Sequence, residues 1–440
     1  MPTTHISAPC RIGRKITALA ICATFPAATP ATAQVVIGGV NQGPAVTLNS
    51  SVSTTSFVVA PNPSAGTLTV TNGSTLTATS DFARVGGRGQ GTLVLDSAST
   101  LTIANGVFLG TAQSAGSTGT LNASGAGTTI HATGFSGVGQ AGTGTLNLAG
   151  GAVFNGTRQL SFGTSATGIG HGYFTSGATL NASGGLHLAA VGSSSAGNLL
   201  LDGANTRANV SNWLIVGGEG AGAVTIQNGA RATLDASANL VLAVSTGSTG
   251  TLTIDGAGSA LSTTRNSIVG QNGTGAINLS HRGVLSTGGV EIGADGVGNV
   301  SVSGGASIKS TGTNNGFLVG SQNGGSGSLT ISGSDSTAEA LGSFFEIGFR
   351  GTGTAVVENG GTLIARHGLW VGEHSGAHGA LTVKDAGSSA QITDYMSLGM
   401  SGSGTVSVEN GAKLELRGAT PGSVSGADLG RYASGNGTLT

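Results

Sequence analysis

Short segments in which apolar and polar residues alternate recur along most of this chain at a nearly constant interval. In residues 250–274, which read GTLTIDGAGSALSTTRNSIVGQNGT, two apolar residues alternate with threonines before an Asp-Gly turn signal, and two further short apolar patches follow. Period-two alternation is typical of a strand with one buried face. The recurrence of such a unit predicts a solenoid, because each repeat can bury its apolar face only against its neighbours.

Each unit begins at a glycine, and most units are 25 to 28 residues long. Apolar residues two and four positions after the glycine are expected to point inward and to stack into aliphatic ladders. We place the starts at Gly66, Gly91, Gly119, Gly144, Gly172, Gly197, Gly222, Gly250, Gly275, Gly298, Gly327, Gly353, Gly379, Gly404 and Gly437.

The third apolar patch of a unit usually ends in an apolar residue followed by glycine. We assign this role to pairs such as Val138-Gly139, Val191-Gly192 and Val216-Gly217. Glycine at a fixed offset suits a corner that needs a positive φ. Three short strands per unit predict an all-β fold, a right-handed parallel β-helix of about 14 rungs over residues 66–440.

The first 33 residues have the features of a secretory signal peptide. A basic start up to Lys15 precedes a short apolar run over residues 16–25, and an A-x-A site ends at Ala33. We therefore expect cleavage between Ala33 and Gln34. Residues 34–65 are then a lead-in that caps the first open edge of the repeat array.

Composition narrows the class of protein. Glycine accounts for 82 of 440 residues but proline for only 8, which excludes a collagen triple helix, and the regularly spaced branched residues disfavour disorder. Without residues 1–33 the chain carries 14 basic and 18 acidic residues, a charge of about −4. There is no cluster of Lys and Arg of the kind that nucleic acid requires.

The repeat also resembles that of a known group of secreted proteins. Units such as GTLTIDGAGSAL and GTVSVENGAKL, joined by corners such as VGQNGTG, are similar to the repeat of type V (autotransporter) secreted proteins and of some PEP-CTERM-sorted bacterial proteins, over about 85% of the chain. The resemblance implies a β-helical passenger with a signal peptide and, in the autotransporter branch, a C-terminal outer-membrane barrel. Residues 1–440 contain neither that barrel nor the Pro-Glu-Pro signal of the other branch, which leaves the anchoring mode open.

Periodic acidic residues are the first candidates for chemistry, because β-helices also host polysaccharide lyases and hydrolases. Each lies five residues after a unit start, directly before a turn, where a carboxylate also accepts local hydrogen bonds. They are Asp96, Asp202, Asp255, Glu358 and Glu409. We interpret them as turn residues rather than a catalytic cluster.

Histidines and tryptophans are the remaining candidates. His367, His374 and His378 are weak candidates for a metal site, since their spacing in a corner loop does not place them on one face, and we expect no cofactor. We interpret Trp213 and Trp370 as occupying equivalent positions before corner glycines. There they either pack at the corners or bind sugar rings.

Together these features predict a non-enzymatic exported passenger, displayed at the outer membrane or released, with a role in adhesion or matrix interaction. Its expected partners are a host or matrix glycan or protein and the barrel translocator. A carbohydrate-active β-helix enzyme and a PEP-CTERM-sorted extracellular matrix protein are the alternatives.

The last prediction from the sequence is that the reading frame continues beyond Thr440. Residues 437–440 begin another first strand in register, and an uncapped final rung would offer its backbone to other chains. We expect further rungs and then a barrel of roughly 250–300 residues. Sequencing of the genomic DNA beyond codon 440 checks this: an immediate stop codon contradicts it, and a short apolar helix with a basic tail would indicate the PEP-CTERM branch.

Overall fold

The computed structural model describes residues 34–37, 39–110, 116–313, 316–418 and 426–440. The expected signal peptide, including Ala33, lies outside the described residues, whereas Gln34 lies within them.

All regular elements of the described ranges are β-strands. In the first part of the chain they are β1 (Val35–Ile37), β2 (Val40–Asn41), β3 (Ala45–Leu48), β4 (Val52–Thr54), β5 (Phe57–Val59), β6 (Ala65–Val70), β7 (Thr75–Ala78), β8 (Ala83–Val85), β9 (Gln90–Leu95), β10 (Thr100–Ile103), β11 (Val107–Leu109), β12 (Thr118–Ser124), β13 (Thr129–Ala132), β14 (Ser136–Val138), β15 (Thr143–Ala149), β16 (Val153–Gly156) and β17 (Leu160–Phe162). The middle part contains β18 (Ile169–Thr175), β19 (Thr179–Ala182), β20 (Leu186–Leu188), β21 (Ala196–Asp202), β22 (Arg207–Val210), β23 (Trp213–Val216), β24 (Ala221–Gln227), β25 (Arg231–Leu234), β26 (Asn239–Leu242), β27 (Thr249–Asp255), β28 (Ala260–Ser262), β29 (Asn266–Val269), β30 (Thr274–Ser280), β31 (Val284–Thr287) and β32 (Gly289–Ile292). The last part contains β33 (Val297–Ser303), β34 (Ser307–Ser310), β35 (Phe317–Val319), β36 (Ser326–Ser332), β37 (Thr337–Ala340), β38 (Phe345–Ile347), β39 (Thr352–Glu358), β40 (Thr362–Ala365), β41 (Leu369–Val371), β42 (His378–Lys384), β43 (Ser389–Thr393), β44 (Tyr395–Leu398), β45 (Ser403–Glu409), β46 (Lys413–Arg417), β47 (Gly426–Leu429) and β48 (Asn436–Leu439).

From β3 to β45, each strand pairs in parallel with the strand three places further along the chain, so the strands form three long parallel sheets. Sheet 1 contains β3 and every third strand up to β48, sheet 2 contains β4 to β46, and sheet 3 contains β5 to β47. One strand from each sheet makes one rung. The structure is therefore a β-solenoid of about 14 rungs, as the sequence predicts, and its described residues contain no helix that could span a membrane.

The core is a set of apolar ladders that run the length of the solenoid. In β27, Leu252 and Ile254 are fully buried and stack in register on Val224 and Ile226 of the rung before. Each buried aliphatic side chain contributes roughly 1.5–3 kcal/mol. The same alternation is repeated in sheet 1 rung after rung, which is why the period of the sequence equals the period of the fold.

The lead-in segment contains a rung of its own. Strands β3, β4 and β5 pair in parallel with β6, β7 and β8 and so extend all three sheets toward the N-terminus. Strand β1 then pairs antiparallel with β5, and Val35 at its start is fully buried. An antiparallel strand thus covers this end of sheet 3.

One expected repeat start is wrong by two residues. Gly144 pairs with Gly170, and Gly172 instead pairs with Leu146 and Leu199, in the ladder position. A Cβ on Gly172 would lie 2.7 Å from Cε1 of Phe162. The large Phe162 ring occupies the space that a ladder side chain would fill, so glycine is required there.

One expected corner pair is also wrong. Leu188, not Val191, stacks on Val216, so the corner of this rung is Leu188-Ala189. Ala189 adopts a φ of +54°, in the range where glycine stands in most rungs. Val191 lies in the following loop and is 50% exposed. A VG dipeptide therefore does not by itself define the corner.

Paired substitutions in β27 test the assignment of inward and outward residues. Leu252→Asp places an unpaired carboxylate in the ladder and is expected to cost more than about 4 kcal/mol. Thr253→Asp remains on the partly exposed outer face and should cost less than about 1 kcal/mol. Denaturant melts of the full chain measure both. Overlapping transitions for the two variants would contradict the assignment.

Candidate binding face on sheet 3

Parts of the outer faces of sheets 1 and 2 carry short rows of hydrogen-bonded asparagines. Asn147 donates from Nδ2 to Oδ1 of Asn122 on sheet 1 over 2.7 Å. On sheet 2, Asn209 donates to Asn181, which donates to Asn155, each over 2.8 Å. These asparagine side chains satisfy part of one another's hydrogen-bonding capacity along the rod.

The aromatic residues outside the core are distributed very unevenly among the three faces. Among the described residues, Tyr173 on sheet 1 is the exception, and the others lie on sheet 3 or in the corners that flank it. They are Phe82, Phe108, Phe135, Trp213, Phe344, Phe349, Trp370, Tyr395 and Tyr432. Sheet 3 is therefore chemically different from the other two faces.

At the N-terminal end of this face the rings stack from rung to rung. Phe82 and Phe108 pack edge to face with centroids 4.7 Å apart, and Phe108 and Phe135 are 5.9 Å apart. The guanidinium of Arg84 lies 5.8 Å from the centre of the Phe82 ring. Such pairs contribute about 0.5–1.5 kcal/mol beyond the area they bury.

At the C-terminal end the face carries two carboxyl groups among aromatic rings. Glu346 is the outward residue of β38 and is only 7% exposed, between Leu318 and Trp370 of the adjacent strands. The rings of Phe344 and Trp370 are stacked with centroids 4.1 Å apart. Glu373 follows β41, and its Oε1 is 3.5 Å from Nε2 of His374.

Burial controls the protonation of this pair. It raises the pKa of Glu346 to about 9, and the negative charge of Glu373 contributes to the same shift. Burial also raises the pKa of Glu373, although Glu346, His374 and Arg350 oppose that rise. The two carboxyls are within hydrogen-bonding reach of each other, so at neutral pH the pair retains a proton that one group donates to the other.

A polar cleft of about 330 Å³ lies beside sheet 3, between sheets 2 and 3. At this position the corner between β31 and β32 consists of Gly288 alone, whereas the preceding corner has three residues, 263–265. The lining residues are Asn239, Thr264, Arg265, Asn266, Gly288, Gly312 and Thr313.

Glu291 contacts a lining residue of the cleft and lies in the same outward column as Glu346 of the carboxyl pair. Asn266 donates to its Oε1 over 3.2 Å, and burial raises its pKa. Glu291 and Glu346 belong to one outward column of sheet 3, with Leu318 between them. Two rung steps separate them by roughly 10 Å. The face therefore offers an apolar floor with carboxyl groups at intervals, which can both pack against a ligand and hydrogen-bond to it.

The three histidines singled out in the sequence lie in different elements. His367 is exposed between β40 and β41, His374 follows β41, and His378 begins β42. The ring of His374 packs edge to face on Phe349 at 4.7 Å. Across the described ranges, no three or more His, Cys, Asp or Glu side chains are grouped so as to hold a metal ion.

Four of the five periodic acidic residues end strands of sheet 1, Asp96 directly follows β9 of the same sheet, and all five lie away from sheet 3. Asp255 accepts hydrogen bonds from Ser280 over 2.5 Å and from His281 over 2.7 Å. Glu358 forms an ion pair with Lys384 at 2.9 Å. These contacts tie the turns of successive rungs together.

The two tryptophans do not occupy equivalent positions, so that prediction is wrong. Trp213 pairs with Asn239 at the start of its strand, whereas Trp370 pairs with Glu346 and Ser397 in the outward column. Sequence reasoning also missed Glu346 and Glu373. The available signal was a glutamate inside the aromatic run FFEIGF, followed one rung later by LWVGEH.

Comparisons with known proteins give little further information. No protein-family model and no curated protein matches the sequence. Among solved structures, the chain is similar to the TibC-catalysed, hyper-glycosylated TibA55-350 fragment. The identity is 15%, over 87% of this chain and 99% of that chain, with a TM-score of 0.28. Similarity at this level does not establish a shared fold or function.

The buried carboxyl pair predicts an unusual pH dependence of stability. Since the folded state holds a proton that the unfolded state releases above its ordinary glutamate pKa, the pair's contribution to stability is fully present below about pH 4.5 and is lost as pH rises toward about 9. Glu346→Gln should therefore stabilise the full chain near pH 8 by about 1–3 kcal/mol and have little effect near pH 4.

Thermal melts of wild type and variant across pH 4–9 measure this. Glu358→Gln is the matched control, because it removes a carboxylate that is paired with Lys384. It should lower stability slightly rather than raise it at pH 8. A Glu346→Gln variant that is less stable than wild type at pH 8 would contradict the assignment of the pair.

Proposed function

We propose that this protein is exported and acts outside the cell as a non-enzymatic β-helical passenger in adhesion or matrix interaction. The observation that carries the proposal is the concentration of outward aromatic and buried carboxyl groups on one face of a long solenoid. The signal peptide expected over residues 1–33 and the autotransporter-like repeat support export. The proposed route to the surface uses an outer-membrane translocator, after which the passenger stays attached or is released.

A solenoid suits such a role for a physical reason. Each face presents the same side-chain positions in every rung, so a partner that touches one rung can touch the next in the same way. Several weak contacts of this kind combine into strong binding through effective concentration.

A carbohydrate-active enzyme is the second candidate, and the carboxyl pair favours it because Glu346 stays protonated near neutral pH, as a general acid must. Its geometry argues against it. Glycoside hydrolases place two carboxyls about 5–9.5 Å apart on opposite sides of the bond they cleave. Here Glu346 and Glu373 are within hydrogen-bonding reach of each other. That spacing leaves no room for a glycosidic bond between the two groups.

Surface display can be tested on intact cells of the native host. Proteinase K added outside should remove the protein while a periplasmic marker survives, and N-terminal sequencing of the mature protein should begin at Gln34. A strain that lacks the protein should attach less to its matrix, with recovery on complementation. Protection of the protein until the outer membrane is opened would contradict the proposal, and retention of residues 1–33 would contradict the expected cleavage.

A further inference from the structure

Polar atoms without partners are concentrated on one part of sheet 3. Among the described residues, ten buried side-chain oxygen or nitrogen atoms have no hydrogen-bond partner, and four of them lie within three successive rungs there. They are Oε2 of Glu346, Nε1 of Trp370, Oε2 of Glu373 and Oγ of Ser397. Glu346 is 7% exposed and Ser397 only 1%, so both are deeply buried. Buried polar groups normally have partners, which makes this cluster a place where a ligand would supply them.

These atoms share one side of the sheet. Glu346, Trp370 and Ser397 are consecutive members of the outward column, paired in register through β38, β41 and β44. Phe344 stacks on Trp370 at the corner before the strands, and Glu373 follows β41 at the other corner. We call these five residues the carboxyl–aromatic patch.

The fold disfavours a peptide added as a strand. Strands β38, β41 and β44 are each paired on both sides, so the backbone at the patch has no free edge for strand addition. Nucleic acid is also disfavoured, because the patch presents carboxyl groups where phosphates would need Lys or Arg. A ligand here must instead be recognised by side chains.

We propose that the carboxyl–aromatic patch binds a neutral polysaccharide. Sugar rings combine C–H faces, which pack on aromatic rings, with hydroxyls that both donate and accept hydrogen bonds. The carboxyl pair keeps its proton between Glu346 and Glu373 and accepts hydrogen bonds through its remaining oxygens, the indole N–H donates, and the serine hydroxyl does either. The patch therefore matches a hydroxyl-rich ligand without net charge.

The surroundings favour a chain over a single sugar. The outward column continues from Glu346 through Leu318 to Glu291, which borders the polar cleft roughly 10 Å from the patch. A polysaccharide that lies along the rod would reach both sites, whereas a monosaccharide would reach one. This inference rests on the proposed binding role, since it names the class of partner for it.

Tryptophan fluorescence provides a direct test, because Trp213 and Trp370 are the two tryptophans of the chain. In the full-length Trp213→Phe variant, Trp370 is the sole indole reporter. We would titrate it with dextran, laminarin, hydroxyethylcellulose and galactomannan. At least one should change the emission in a saturable way, with an affinity at least ten-fold above that of its own monosaccharide. A flat response to all four overturns the inference.

Affinity electrophoresis in gels that contain the bound polysaccharide then locates the site. Trp370→Ala should weaken binding at least ten-fold. Tyr173→Ala is the matched control, because Tyr173 is 41% exposed on sheet 1 and should bind as wild type does. Trp370→Phe keeps a ring next to Phe344 but loses the indole N–H, so an intermediate loss is expected, and this variant serves if Trp370→Ala does not fold. Equal weakening by the Tyr173 and Trp370 variants overturns the inference.

The remaining outcomes separate this inference from the proposed function. Surface display without polysaccharide binding would contradict the polysaccharide inference and leave the proposed function in place. The appearance of new reducing ends in a bound polysaccharide would contradict the proposed non-enzymatic function and leave the polysaccharide site in place. Binding of poly-L-lysine in place of the polysaccharides, abolished by Glu346→Gln with Glu373→Gln, would overturn the inference in favour of a cationic partner.

Discussion

In-register stacking of each rung on the next is the constraint on which the rest of this structure depends. No rung can bury its own apolar face, so Leu252 is buried only because Val224 lies against it on one side and Ile277 on the other. The backbone hydrogen bonds of the three sheets run in the same direction, from rung to rung. A sequence rich in glycine, threonine and serine can fold on this plan, because a few aliphatic residues per unit are enough when they form continuous ladders.

Stacking also decides where variation is tolerated. The strands of sheets 1 and 2 must keep their register, and their outer faces become rows of like residues such as the asparagines at 155, 181 and 209. The corners between sheets 2 and 3 vary in length; one is the single residue Gly288, and another is the four residues 341–344. The polar cleft lies at the short corner, and the longer corner places Phe344 against Trp370 of sheet 3. The proposed function thus lies beside the part of the rung that the ladder constrains least.

The sequence predicted the ladder and most unit starts, because period-two alternation is a local property. It failed where a nonlocal contact decided the register. At Gly172 the space of the ladder side chain is taken by Phe162 from the preceding rung, and at Ala189 an alanine adopts the corner conformation that glycine usually adopts. The carboxyl pair was missed for the same reason. Nothing within one repeat indicates that Glu346 is covered by Trp370 from the next rung.

Cysteine crosslinking measures the stacking register of sheet 3 directly, because Cys10 and Cys22 are the native cysteines and can both be replaced by serine. Val241 and Ile268 are outward residues paired between β26 and β29. Paired strands lie about 4.8 Å apart, within the Cα separation of a disulfide, whereas an offset of two residues exceeds it. We predict that Val241→Cys with Ile268→Cys oxidises to a disulfide and that Val241→Cys with Asn266→Cys does not. Disulfide formation in the second pair and not in the first would contradict the register on which both the ladder and the binding face depend.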